Sequence, residues 1–131
     1  MVGDTARAVA AIGECMVELV AAGDDLWRLG WGGDTLNLAV YLARLGEPVH
    51  YLTALGDDRF SERMLAGWRA EGVGTDRVAR LPGRMPGLYA IETDAAGERS
   101  FHYWRSEAAA RDVMKTIDPE AALADLGLLV L

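Results

Sequence analysis

Cysteine and histidine are scarce in this chain of 131 residues, which has one Cys, Cys15, and two His, His50 and His102. A lone thiol closes no intrachain disulfide and builds no thiolate cluster for zinc. It fits a reducing compartment, and a cytoplasmic location is expected. Cys15 has no histidine placed to activate it and reads as a buried small residue. The two histidines are far apart, share no partner pattern, and read as ordinary surface or core residues. Positive charge is short as well: 13 Lys and Arg stand against 20 Asp and Glu, a formal net charge of -7. Nucleic acid and anionic membranes both require a basic patch, so neither partner is expected. A small anionic ligand needs only local positive charge and stays open. Long apolar runs are missing too. Ala6 to Gly23 is interrupted by Glu14 and Glu18 and is too short and too charged to span a bilayer. Arg7 is the one base near the start, with Asp4 beside it, so no secretory leader is expected. There is no Gly-x-x-x-x-Gly-Lys-Ser/Thr phosphate loop, no protein-kinase motif set, no internal repeat and no low-complexity tract.

What is present is an ordinary globular balance, 51% apolar and 25% charged, in a chain long enough for about one domain with a core. Met1 to Arg7 reads as a loose terminus. Ala8 to Gly13 is a short apolar run ending in Gly, the pattern of a buried strand. Cys15 to Val20 and Leu26 to Trp31 flank the turn cluster Ala21-Ala22-Gly23-Asp24-Asp25 and read as a hairpin. Asp34 to Leu45 is predicted helical, stopped by Gly46 and Pro48. Val49 to Leu55 is a second core strand. A second helix is predicted from Arg59 to Glu71, with Phe60, Met64, Leu65 and Trp68 on one face, Asp57 or Asp58 as cap and Gly72 as stop. Val78 to Leu81 is a short strand. Leu88 to Thr93 and Arg99 to Arg105 flank Asp94-Ala95-Ala96-Gly97-Glu98 and form a second hairpin. Ser106 is expected to cap a short helix through Val113. Another short helix starts at Pro119, and Gly127 to Leu131 is a third core strand.

Strand and helix alternating in this way predict an α/β fold with a parallel sheet. The two hairpins do not fit inside such a sheet and are expected to form a separate small β layer. Leu126 to Leu131 is apolar with no turn after it, and a buried parallel strand needs neighbours on both sides. The chain is therefore expected to be part of a longer protein.

Two places carry chemistry. Gly32-Gly33 sets adjacent glycines at the mouth of a helix, where the chain turns sharply and a ligand can approach backbone and free N–H groups. Asn37 lies one turn in, on an otherwise apolar helix that Asn disfavours, and offers both a donor and an acceptor to a hydroxyl. The plainer alternative is a tight turn with Asp34 as N-cap. In the second hairpin, a five-residue loop sets Tyr89 opposite Tyr103 and Gly87 opposite Arg105; a four-residue loop would shift the pairing. With the first register, two phenols and a guanidinium face one space. The phenols suit sugar hydroxyls and carbons, and the guanidinium suits a carboxylate. An aromatic cross-strand ladder with a solvated Arg is the simpler reading of those residues alone. Glu14 and Glu18 share a side if the chain stays extended. They are open to a metal or acid–base role, or to the plainer role of strand-end cap and solvated face.

Gly32-Gly33, Asn37, Gly46 and Gly56 together resemble the first signature of the ribokinase-like (PfkB) sugar kinases. Ile12 to Leu19, Gly33-Asp34-Thr35-Leu36-Asn37, Thr53-Ala54-Leu55-Gly56, Pro86-Gly87-Leu88-Tyr89, Ile91 to Asp94, Gly97-Glu98-Arg99 and Tyr103 to Ala110 narrow the resemblance to its 2-keto-3-deoxygluconate kinases, over residues 8 to 131. Thr35 departs from the Gly, Ala or Pro of the wider family and is shared by that branch. The resemblance implies a partial ribokinase-like three-layer α/β/α core over residues 1–14, 33–83 and 107–131, with a small β-sheet lid over 15–32 and 84–106. It implies substrate contacts from Gly33, Asp34, Asn37, Tyr89, Tyr103 and Arg105, with Glu18 on sugar hydroxyls, and so reverses the simpler reading of the second hairpin. It implies ATP and Mg²⁺ in the complete enzyme, held with the catalytic Asp at a later Gly-Ala-Gly-Asp helix start. That motif is absent from these residues, so this chain alone is expected to bind neither and to be inactive. A sugar acid is the implied partner, together with a homo-oligomer formed through the lid sheet. A fructokinase-like sugar kinase is the alternative substrate reading. A non-catalytic sugar-binding or oligomerising module is the alternative if the protein ends at Leu131.

Overall fold

The computed structural model describes residues 7–131. The expectation of a loose terminus, and the first residues of the expected core segment, fall on 1–6 and lie outside the described residues. Strand β1 (Ala8–Ile12) is small and apolar throughout, and it sits in the middle of a parallel sheet in the order β4-β1-β9. Ala10 and Ala11 are fully buried there. Strand β2 (Met16–Ala21) and strand β3 (Trp27–Gly32) form the first hairpin. Its turn contains Gly23, Asp24 and Asp25, all with positive φ, a conformation that Gly adopts freely and Asp tolerates.

Helix α1 (Asp34–Arg44) follows at once and buries Leu36 and Ala39. Its cap is Gly33 and not Asp34, and no side chain accepts from its first N–H groups. Strand β4 (Val49–Leu52) pairs with β1 in parallel, Val9 opposite Val49, and β5 (Ala54–Leu55) continues it into a two-stranded sheet. Helix α2 (Arg59–Ala70) is capped by Asp58, whose carboxylate accepts from the Phe60 and Ser61 amides at 2.9 and 3.1 Å. The Ser61 hydroxyl in turn donates to Asp58 at 2.6 Å and accepts from the Gly56 amide at 3.0 Å, which ties the strand end to the helix start. The buried stripe of α2 is Ser61, Met64, Leu65 and Trp68. Phe60, expected on that stripe, is 37% exposed at the first turn of the helix, where with Met64 it meets Val17, Leu29 and Trp31 of the first hairpin. Trp68 meets Tyr51 edge to face at 5.2 Å in the centre of the core.

Strand β6 (Ala79–Arg80) pairs with β5. Strands β7 (Leu88–Thr93) and β8 (Arg99–Trp104) form the second hairpin, with Tyr89 opposite Tyr103 and Thr93 opposite Arg99. The loop therefore has the longer of the two expected lengths. Asp94 fixes it by accepting from the Ala96 and Glu98 amides at 2.8 and 2.9 Å, while Gly97 takes the positive φ. The hairpins join through β2 and β7, which run parallel, into one sheet in the order β3-β2-β7-β8, separate from the parallel sheet. Trp31 seats this sheet on α2: any Cβ at Gly67 would strike its indole ring.

Beyond the second hairpin the expected helix from Ser106 is delayed. The Ala109 amide donates to the Met85 carbonyl at 2.9 Å, and this bridge holds the chain extended. A 3-10 turn follows over Ala109–Asp112, then α3 (Val113–Thr116) and α4 (Pro119–Leu123), the last capped by Asp118. Strand β9 (Leu126–Val130) pairs with the other side of β1. A buried core strand is expected here, yet Leu128 is 59% exposed, because β9 is the edge strand of this sheet among the described residues.

Candidate functional site

An open cleft of about 670 Å³ lies between the inner face of the hairpin sheet and the start of α1. Gly33, Asp34, Asn37, Glu18, Tyr89, Tyr103 and Arg105 all line it. The sheet explains half of this convergence. Glu18, Tyr89 and Tyr103 are register partners on three adjacent strands, so their side chains form one row across one face. Phe101 stands on the same face, its ring 6.3 Å from that of Tyr103, and Tyr103 is 6.0 Å from Tyr89. Arg105 follows β8 by one residue and continues the alternation at the rim. The other half comes from α1, whose uncapped N-terminus begins at Gly33 and whose Asn37 lies one turn in.

Hydrogen bonding commits several of these groups. The Tyr89 hydroxyl donates to the Glu18 carboxylate. Burial first, and then the Glu18 carboxylate, push the Tyr89 phenol above its ordinary value, so it stays protonated and neutral. Arg105 donates through Nη2 to the Glu14 carboxylate, a pair that joins the turn after β1 to the end of β8. Thr35 shares a 3.1 Å hydrogen bond with the hydroxyl of buried Tyr51. Burial, followed by the charges of Glu14 and Glu18, raises the Cys15 thiol well above its ordinary value, so it is an inert packing residue as its sequence context suggested.

The glycines are small for a reason the sequence left undefined. A Cβ at Gly32 would meet the Tyr89 hydroxyl, and one at Gly33 would meet the Glu14 carbonyl. The close approach at both positions is therefore made by the protein itself. Gly56 is equally constrained: its carbonyl accepts from Arg80 Nε at 2.7 Å, and a Cβ there would strike the Arg84 carbonyl. Glu14, weighed in the sequence only as one of a carboxylate pair, emerges as the partner of Arg105. Trp31, Phe101 and Met16, not singled out as site residues, also line the cleft. The period-two pattern of the strands was the signal for Phe101 and Met16. His50 pairs with Asp76 at 2.8 Å and His102 with Glu92 at 2.9 Å, both away from the cleft. Among the described residues no group of three or more His, Cys, Asp or Glu is placed to hold a metal ion, and no helix is long and apolar enough to cross a membrane.

A parallel α/β sheet carrying a second, four-stranded sheet over a polar cleft defines the ribokinase-like class. The chain belongs to the pfkB family of carbohydrate kinases, whose family model matches residues 6–131. It is 55% identical over 120 residues to a 2-dehydro-3-deoxygluconokinase of Dickeya dadantii, covering 88% of this chain and 38% of that protein. It is also 55% identical over 109 residues to the Escherichia coli K12 protein of the same name, covering 80% of this chain and 35% of that one. The solved 2-dehydro-3-deoxygluconokinase of Thermotoga maritima superposes with a TM-score of 0.85 at 25% identity, over 94% of this chain and 40% of that chain. A Xylella fastidiosa fructokinase solved with bound ATP gives a TM-score of 0.85 at 27% identity, over 95% of this chain and 38% of that chain. The chain thus spans well under half the length of these relatives.

Proposed function

We propose that this chain forms the sugar-binding part of an ATP-dependent kinase that converts 2-keto-3-deoxygluconate to 2-keto-3-deoxy-6-phosphogluconate. The observation that carries the reading is the meeting of one guanidinium, a row of phenols and an uncapped helix N-terminus in one cleft. Arg105 takes the carboxylate of the sugar acid. Tyr89 and Tyr103 lay their rings on its carbons, with Glu18 accepting from a hydroxyl. Gly33, Asp34 and Asn37 bind hydroxyls from the helix side. High identity to two proteins named 2-dehydro-3-deoxygluconokinase supports the substrate.

ATP and Mg²⁺ belong to the complete enzyme in this reading, but the described residues do not fit them. The charged lining of the cleft is Glu14, Glu18 and Asp34 against the single cation Arg105. That balance repels a triphosphate, and no metal-holding cluster is present among the described residues. The residues that this chain contributes bind and orient the sugar.

The acidic lining favours a second reading, a neutral hexose as in fructokinase. Calorimetric titration of the intact protein with 2-keto-3-deoxygluconate and with fructose separates the two. Preferential binding of the acid, lost in Arg105→Ala, is expected; preference for fructose, unchanged by Arg105→Ala, sinks the sugar-acid reading. The 131-residue chain by itself is expected to give no ATP-dependent sugar phosphorylation. A cytoplasmic setting and self-association through the lid sheet complete the proposal. The outer face of that sheet sets Leu19, Trp27, Leu88, Ala90 and Trp104 together, with the Glu92–His102 pair beside them.

A further inference from the structure

We propose that Glu14 is a positioning residue of the sugar-acid site: it holds the Arg105 guanidinium by one edge and leaves the other for the substrate's carboxylate. The inference rests on the role given to Arg105 above and deepens it. Arg105 stands at the end of an exposed strand, and its side chain is 51% exposed. An unheld Arg in such a place carries rotamer entropy that an incoming ligand would have to remove. Glu14 removes it beforehand. Its side chain is only 14% exposed, and it reaches Nη2 from the turn after β1. Among the described residues the Arg105 side chain makes no other hydrogen bond, so the rest of its planar fork stays available for a two-point grip on a carboxylate.

Glu14 is itself held from two sides. Its Oε1 is buried without a hydrogen-bond partner against Gly87, where a Cβ would come within 2.8 Å of it and 3.1 Å of the Arg105 Cβ. Its backbone carbonyl packs on Gly33 at the mouth of α1. One short segment is therefore clamped between the helix that meets the sugar hydroxyls and the strand that carries Tyr89, and it sets the guanidinium relative to both. An uncharged sugar has nothing to place on the free edge, so Glu14 contributes to acid recognition and not to sugar binding in general.

The test is calorimetric binding of 2-keto-3-deoxygluconate and of its methyl ester to the intact protein. Glu14→Ala is expected to weaken the acid about tenfold and to leave the ester within about twofold, while in an Arg105→Ala background it changes acid binding by less than about twofold. Glu14→Gln keeps an oxygen acceptor for Nη2 and is expected to restore most of the affinity. Glu14→Asp keeps the charge but falls one methylene short of Arg105. It is expected to weaken the acid selectively, and it carries the test if the Ala variant does not fold. Equal loss for acid and ester, or an undiminished effect without Arg105, overturns the inference in favour of a purely structural role. Acid affinity lost in Arg105→Ala but unchanged in both Glu14→Ala and Glu14→Asp overturns the inference alone. A wild type that does not bind the acid overturns the sugar-acid reading with it.

Discussion

A methyl group at Gly33 would meet the Glu14 carbonyl oxygen and lie 3.1 Å from the Cys15 Cα. Both obstacles are backbone, which cannot rotate aside, so Gly33→Ala must push the segment carrying Glu14 away from α1. That variant is expected to lose about 1–3 kcal/mol of stability in urea titration and to weaken sugar binding by an order of magnitude or so. Gly33 could be read as special from the sequence because adjacent glycines before a helix are a turn signal. What it packs against could not, because nothing local points from Gly33 back to Glu14. The same limit hid the partner of Arg105, which is 91 residues away. Tyr89, Tyr103 and Asn37 were legible because their places depend on local alternation and helical period, which the fold preserved.

Elements were most legible where a side chain fixes its own neighbourhood. Asp94 and Gly97 set the hairpin loop, and hence the register that aligns Glu18, Tyr89 and Tyr103. Asp58 set the start of α2, which leaves Phe60 in the exposed first turn. The segment after β8 was illegible because the bridge between Met85 and Ala108 is long-range and overrides the helix signal at Ser106. That segment is held through Asp112, which accepts from Lys115 at 2.6 Å and from Arg84 at 2.7 Å. Lys115 first, and then Arg84, lower the Asp112 carboxyl to about 2. Its folded value lies below the unfolded one, so the pairing stabilises the fold above pH about 4, and this contribution is lost as pH falls from about 4 toward about 2. Asp112→Asn is expected to lower the urea midpoint at pH 7, with the gap to wild type closing over that acid range. A gap that stays constant with pH would mean that the carboxylate does not act through its charge.

At the scale of the whole molecule, strand–helix alternation gave the parallel sheet, and the two hairpins stood apart in the pattern because they form a second sheet. The sequence did not show that they would join through parallel β2 and β7, since nothing in either strand marks its partner. The apolar outer face of this second sheet bears on association. Trp104 is 63% and Trp27 43% exposed on it, an arrangement that favours burial against a second copy. Sedimentation of the intact protein is expected to show a dimer or higher oligomer that Trp104→Glu shifts toward monomer. A wild type that sediments as a monomer at tens of micromolar counts against this sheet as a self-association surface.

The hairpin sheet is fastened to the core at its two opposite edges, at the same end of the strands, by contacts of unlike kind. Trp31 on β3 is wedged against Gly67, a dry contact that dissolved salt scarcely touches. Arg105 at the far edge is tied by an ion pair whose guanidinium is half open to water, and a pair with an exposed partner weakens as salt rises. Ionic strength therefore acts on this sheet as on a door, loosening the latch and sparing the hinge. The latch is the very group that awaits the anion.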